Sequence, residues 1–500
     1  MATPPLKILL EMRPALDGHA GIPQATRLLF RGLCLIDGVS VEGLLQSSTH
    51  ALGLGLPTHR RFWRRLLRPD QQLDQMARVI ITLEQKSWDS YITVIPMVLR
   101  HVTGRAEPLT RFEALHFRDF VWRRLFARSL PAEDFDVVTS ANFRIARVPW
   151  SVMQRCALAT RRMGYELYSR LDTSDFDVMI TETPYPATVS KRTRLVVRYH
   201  DAVPLLMPHT ISDRKYHQAY HYRALRRNVE SGASFVCVSE STRQDLLSIF
   251  PEVERRSLTI HNMVSPHYFE ENSSPDRVLG ILKTRLNTQL DPPLDASIKR
   301  KLFHDMGAGA APPFLLVVAT IEPRKNHLTV LAAWEELQAA AFPGLKLVLV
   351  GAFGWHHKAI VERFRPWIEH GEVFMLEDVP SPELRVLYKH AQVTICPSVA
   401  EGFDFAGVEA MASGGAVVAS EIRVHREIYS DAAEYFNPYS AHDLVRAVAA
   451  VIDPSSALYR EELLRRGARI WKAYSHDAIL PKWTAFLTCG NASGYERAEP

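Results

Sequence analysis

The sequence predicts an α/β chain of two domains, each built on a doubly wound parallel sheet. Three observations carry this. The 500 residues exceed what a single hydrophobic core usually fills. Short apolar runs recur along the chain and are continuous rather than alternating, as strands covered on both faces are. Helix-like segments separate those runs, which is the pattern of βαβ units.

Taken in order, the first series of runs is "KILLEM", "VSVEGLL", "DVVTS", "DVMITET", "LVVRYHD" and "SFVCVSE". The second is "PFLLVVATI", "LKLVLVGA", "EVFMLED", "VTICPS", "AVVAS" and "AEYF". A polar stretch with Pro, Gly, Asn and Ser clusters, 271–311, divides them and reads as a linker, with "DASIKRKLF" a candidate helix inside it. The expected domains are therefore 1–270 and 312–470, both Rossmann-like, followed by a terminal segment at 471–500. Residues of about 50–130 read as an insertion in the first domain. "DFDVV" at Asp134 and "DFDVM" at Asp175 both read as strand openings. Their D-x-D spacing is too short a match to argue for a metal.

Hydrophobic content of 47% with 23% charged residues places the chain among globular proteins. A net charge of +5 is too small for its length to argue for nucleic acid. Cys34, Cys156, Cys237, Cys396 and Cys489 are dispersed without a C-x-x-C pair, which predicts a reducing compartment and no structural zinc. No apolar run reaches the roughly 18 residues of a spanning helix, and the first residues lack the pattern of a signal peptide. A cytoplasmic protein is expected. Two segments add a membrane expectation. "HRRFWRRLLR" (59–68) sets Arg60, Arg61, Arg64, Arg65 and Arg68 against Phe62, Trp63, Leu66 and Leu67, and 116–130 is a less regular version. At helical spacing both suit a peripheral contact with anionic lipid.

Two stretches of the second series carry chemistry. In "ATIEPRKNHLTVLAAWEEL", Arg324 and Lys325 lie in a turn after a strand, and Asn326 is placed to cap the next helix. Helix starts carry unpaired N–H groups and partial positive charge, so two cations there make an anion seat, with a phosphate or diphosphate the natural guest. In "PSVAEGFDFAGVEAMASGG", Glu401 falls in a loop and Glu409 on a helix. Two strong acceptors at the carboxyl edge of a sheet suit a polyhydroxyl ligand, one on a sugar and one on a ribose. Gly402 lets a backbone come close.

With these residues in hand, the chain resembles the family-4 retaining glycosyltransferases of the GT-B fold, in particular a bacterial mannosyl- and rhamnosyltransferase-like subgroup. The resemblance implies two Rossmann-like domains facing a cleft and a C-terminal helix, within "IWKAYSHDAILPKWTAFL", that crosses back onto the first domain. It places Glu401 at the donor sugar, Glu409 at the ribose and Lys325 at the diphosphate. Arg324 supplies charge where Thr320 stands near the family's usual arginine. Phe403, Asp404 and Val408 belong to the same donor motif, in which Asp404 and Ala406 replace a usual Gly and Pro. "LVVRYHDAVPLLMPH" puts His200 beside the anomeric centre with Asp201 in support. "CVSESTRQDL" and "IHNMVSPHYF" resemble further first-domain segments, and Gly21 would line the cleft. The implied activity is transfer of a hexose from a nucleotide sugar, GDP-mannose first, to a lipid-linked or saccharide acceptor in surface-polysaccharide synthesis. No metal or other cofactor is implied, and no nucleic-acid partner. A UDP-sugar transferase with a soluble acceptor, a nucleotide-sugar epimerase and a non-catalytic sugar-nucleotide binder stand as alternatives.

Overall fold

The structure, a computed structural model, describes residues 4–489 apart from 17, 19–20, 58–67, 86–89, 161–165, 213, 287–289, 292, 296 and 298–310. Its strands are β1 (Leu6–Glu11), β2 (Val39–Leu45), β3 (Thr110–Phe112), β4 (Asn142–Ile145), β5 (Ser169–Arg170), β6 (Val178–Thr181), β7 (Ala187–Thr188), β8 (Arg194–Tyr199), β9 (Ser234–Cys237) and β10 (Ser257–Thr259), then β11 (Phe314–Val318), β12 (Lys346–Val350), β13 (Val373–Leu376), β14 (Val393–Cys396), β15 (Val417–Ser420) and β16 (Glu434–Phe436). They form an eight-stranded sheet in the order β10-β9-β8-β6-β1-β2-β4-β3 and a six-stranded sheet in the order β13-β12-β11-β14-β15-β16; β5 and β7 pair separately. Every pairing in the two large sheets is parallel except β3 with β4. This is the two-sheet α/β architecture of the GT-B fold.

The alternation of side chains along the strands explains why the apolar runs are continuous. Ile8 and Leu10 of β1 enter one core cluster with Ile180, Val196 and Val236, while Leu9 enters a second with Met179, Val197 and Phe235. The first sheet is thus covered on both faces. The second domain closes around a single cluster that takes in all six of its strands.

Several local expectations change. "DVVTS" is not a strand: Phe135–Thr139 is a short helix after a 3-10 turn at Ala132–Asp134, and the neighbouring strand is β4. Segment 116–130 is broken into a 3-10 turn, one α-turn and the π-helical stretch Trp122–Phe126. It buries Val121, Leu125 and Phe126 in the first core, so its apolar residues face inward. Of segment 59–68 only Arg68 is described, and the rest of that expectation lies outside the described residues. Within 271–311, Asp276–Arg285 is helical and packs Val278, Ile281 and Leu282 into the second core; "DASIKRKLF" falls almost wholly outside the described residues. The four D-x-D carboxylates have structural partners. Asp134 pairs with Arg31, Asp136 with Arg118 and Asp175 with Arg144, while Asp177 accepts from the Lys7 amide at 2.8 Å. Cys34, Cys156, Cys237 and Cys396 are free thiols. Among the described residues no helix is long and apolar enough to cross a membrane.

The chain ends its described part with the helix His476–Cys489, which sets Ile479, Trp483, Phe486 and Leu487 into the core of the first domain. Trp483 is fully buried, with the Arg198 guanidinium 5.9 Å from its ring. Loss of such a ring from a packed core costs about 3–5 kcal/mol. Trp483→Ala is expected to lower the unfolding free energy from urea titration by that amount, seen as a lower midpoint. An unshifted midpoint would show that the helix contributes no docking energy.

Candidate active site

Strand order reverses between β1 and β6 in the first sheet and between β11 and β14 in the second. Loops leaving adjacent strands in opposite directions open a crevice at the carboxyl edge, where open α/β sheets take ligands. The polar residues gather at these two switch points.

On the second domain, β11 leads into the 3-10 turn Pro323–Lys325, and β14 leads into the loop 397–404. The Val399 amide donates to the Arg324 carbonyl at 3.0 Å, holding turn and loop side by side. Lys325 Nζ pairs with Glu401 Oε1, and Arg324 Nη1 lies 2.9 Å from Glu401 Oε2. Arg324 also donates to the Ala400 carbonyl at 2.6 Å and to Glu322 at 3.0 Å. Burial pushes the Glu401 carboxyl up, but the Arg324 and Lys325 charges overcome it and hold it below its usual range. Burial works against the Arg324 charge, which Glu401 and Glu322 more than restore. Asn326 stands at the start of the helix His327–Ala340 in the left-handed region, φ 56°. It does not cap that helix: its amide donates to the Pro438 carbonyl and its oxygen accepts from the Thr329 hydroxyl.

Asp404 also has φ in the left-handed region, 61°, a conformation that favours glycine. That explains the glycine usual at this place in the family motif. Its side chain accepts from the Ala406 amide at the start of the helix Phe405–Ala412 and from His425 Nε2 at 3.1 Å. Burial opposes the Asp404 charge, and the His425 bond and charge prevail, holding the carboxyl well below its usual range.

On the first domain, His200 follows β8 and bonds through Nε2 to Glu182, which follows β6, at 2.8 Å. Glu182 is fully buried, and Arg198 lies 3.4 Å from both its oxygens. Burial raises this carboxyl, while the Arg198 charge and the His200 bond bring it below its ordinary value. Arg198 reaches on to Asn262 at 2.7 Å, and Glu11 accepts from the Glu182 amide at 2.9 Å and from Arg13 at 2.7 Å. Asp201 does not support His200; it accepts from the Val203 amide.

The two edges touch. A Cβ at Gly402 would lie 1.7 Å from the His200 carbonyl oxygen, so only glycine allows this approach. The Thr242 hydroxyl sits 3.5 Å from that oxygen and 3.4 Å from the Gly402 carbonyl. Glu427 crosses from the second domain to the start of the helix Glu240–Ile249, accepting from the Glu240 and Ser241 amides at 2.6 and 2.8 Å and from the Ser241 hydroxyl at 2.8 Å. His261 Nε2 completes its partners at 2.9 Å. A carboxylate on free helix amides is a favourable charge placement. Glu409 makes a third crossing: it accepts from Gln24 of the helix Ile22–Cys34 at 2.8 Å and from Tyr388 at 3.1 Å.

The structure thus brings Arg324, Lys325 and Glu401 into one cluster, with Gly402 against His200 and Glu409 deeper beneath Gln24. Gly21 starts the Ile22–Cys34 helix at φ 70°, and among the described residues beyond its chain neighbours nothing lies within 4 Å of a Cβ placed there. Phe403 is core, its ring 5.1 Å from Phe405 and 5.3 Å from Tyr474, and Val408 is fully buried. Thr320 is exposed after β11, against Gly354, and has no polar contact with the cluster among the described residues. Sequence reasoning missed Glu182, Arg198, Gln24 and Glu427. A charge inside the apolar run "LVVRYH" was the one available signal, for Arg198.

The family described as glycosyl transferases group 1 matches residues 299–467, and the one described as Glycosyltransferase Family 4 matches 123–268. The serotype-specific mannosyltransferase WbdA of Escherichia coli is 28% identical over 256 residues, which is 50% of this chain and 28% of the relative. The chain therefore spans less than a third of that protein. The O-antigen chain mannosyltransferase B of E. coli is 25% identical over 57% of this chain and 67% of its own. Among solved structures, the sucrose-phosphate synthase of Thermosynechococcus elongatus shares the fold with a TM-score of 0.54 at 14% identity, over 97% of this chain and 98% of that one. The Anabaena protein Alr3699/HepE, solved with UDP, gives 0.52 at 12% identity over 97% and 99%.

Burial, partly offset by the Gln24 and Tyr388 bonds, pushes the Glu409 carboxyl up from 4.5 to about 7. A raised acid stabilises the fold fully below its unfolded value, and the contribution disappears as pH climbs through the folded one. The stability of the chain is expected to fall by about 3 kcal/mol between pH 4.5 and 7.5 on this account. Denaturant titrations across that range should show the slope, and Glu409→Gln should flatten it. An equal slope in the variant contradicts the assignment.

Proposed function

Since the chain belongs to the family-4 glycosyltransferases of the GT-B fold, we propose that it moves a hexose from a nucleoside-diphosphate sugar, GDP-mannose first, to a lipid-linked or polysaccharide acceptor of a bacterial surface polysaccharide. The observation that carries this reading is the meeting of Arg324, Lys325 and Glu401 with His200 across the Gly402 contact. The mannosyltransferase and O-antigen names of the curated relatives support the sugar and the acceptor class.

The chemistry requires a diphosphate to leave an anomeric carbon. Negative charge grows on the phosphate and positive charge on the ring. Arg324 and Lys325 meet the phosphate in a buried place, where fixed charge acts strongly and needs no reorganisation. As a phosphate takes over these cations, Glu401 is released to accept from sugar hydroxyls and position the ring. Glu409 accepts from the ribose hydroxyls once Gln24 gives way. His200, oriented by its Glu182 bond, presents its other nitrogen, Nδ1, toward the sugar. The acceptor hydroxyl attacks from the side the diphosphate leaves, so configuration is retained, and a donor phosphate oxygen takes its proton. No cofactor enters this scheme, and the D-x-D aspartates stay with their structural partners. The reading places the protein in the cytoplasm, peripheral to the membrane that holds the acceptor.

Purified protein offered a panel of nucleotide sugars is expected to consume GDP-mannose. Lys325→Ala and Glu401→Gln should each lower turnover by about 10²–10³-fold, the size seen when one preorganised transition-state contact is removed. Wild-type turnover in either variant would overturn the site, and turnover with only a UDP-sugar would overturn the donor.

A further inference from the structure

No acidic side chain occurs between residues 90 and 106, and the helix Val94–Val102 within that span is apolar on two sides. One side is inward: Met97 is buried, and Val94 and Val98 pack against the first domain's core. The other side is outward. Ile92, in the turn before the helix, Ile95, Leu99 and Val102 are 49, 78, 62 and 74% exposed. Their three-four-three spacing aligns them on one face. Single exposed aliphatic residues are ordinary, but a water-facing helix carries polar residues in such a row.

Cations frame the far end of this face. His101 and Arg105 are exposed, and so is Arg170 of β5, whose guanidinium donates to the Gly104 carbonyl at 2.9 Å. Arg100 pairs with Glu107, whose carboxylate is turned inward at 7% exposure. A strip of this length offers on the order of a few hundred Å² of apolar surface, short of the roughly 800 Å² per partner of a stable protein interface. An apolar strip with a cationic end instead matches an anionic bilayer surface, which takes aliphatic side chains among its acyl chains and cations at its phosphates.

We propose that the Val94–Val102 helix is the face by which this chain lies on an anionic lipid surface, with Ile95, Leu99 and Val102 inserted and His101, Arg105 and Arg170 at the headgroups. This moves the expected membrane contact away from 116–130, whose apolar residues are internal. It does not depend on the donor-site reading.

The full chain is sedimented with phosphatidylcholine vesicles with and without phosphatidylglycerol. Wild type should bind the anionic vesicles alone. Ile95→Asn, Leu99→Asn and Val102→Asn combined should weaken binding by at least roughly tenfold, and His101→Glu with Arg105→Glu should do the same. The replaced side chains are exposed, and matching circular dichroism and melting would show the variants folded. No lipid binding by wild type, equal binding to neutral vesicles, or undiminished binding by folded variants overturns the proposal. So does light scattering that shows a wild-type dimer made monomeric by the triple variant, since the face would then belong to a second copy.

Discussion

The two domains meet backbone to backbone at Gly402, where the loop after β14 rests on the carbonyl of His200 with no room for a side chain. Much else at the crevice depends on it. Holding those two edges together puts the Arg324, Lys325 and Glu401 cluster opposite the His200 and Glu182 pair, and it lets Gln24 reach Glu409. The other crossings act on the same closure. Glu427 occupies the amides at the start of Glu240–Ile249, and Thr242 of that helix touches both His200 and Gly402 through its hydroxyl. Contact, charge and helix start reinforce one another within a few residues.

The charges at this junction are arranged in compensated groups. Glu182 has Arg198 and His200, Glu11 has Arg13, Glu401 has Arg324 and Lys325, and Asp404 has His425. Buried ion pairs seldom stabilise a fold more than apolar residues of equal volume would, because desolvation offsets the attraction. Their concentration at the two switch points is therefore better understood as preorganisation for a charged ligand than as stabilisation of the fold. In the proposed reaction a diphosphate competes with Glu401 for two cations already fixed in place, so little reorganisation accompanies the chemistry.

The strands were legible in the sequence where both faces are buried, since β1, β6, β8, β9 and β11 through β15 all produce short, mainly apolar runs. "DVVTS" failed because a short apolar run looks the same in a buried helix as in a strand. β4 was missed because "NFRI" is half polar: Arg144 pairs with Glu42 of β2, so its charge is met inside the sheet. Of the candidate site, Lys325, Arg324, Glu401 and His200 were legible through local motifs beside strand ends. Gln24 and Glu427 were not, because their partners lie 385 and 187 positions away and nothing local records the pairing. Glu182 was hidden as a single acid at the end of an apolar strand. Phe403 and Val408, expected at the donor from the same motif, have buried side chains, with the Phe403 ring packed against Tyr474.

The central claim is that cations and a carboxylate of one domain and a histidine of the other converge on a single activated sugar. A crystal structure of the protein soaked with GDP-mannose tests it most directly. The account predicts the diphosphate on Arg324 and Lys325, hydroxyls of the mannose on Glu401, and His200 within hydrogen-bonding distance of the same sugar. A nucleotide bound away from the crevice, with the Lys325–Glu401 pair undisturbed, would contradict it.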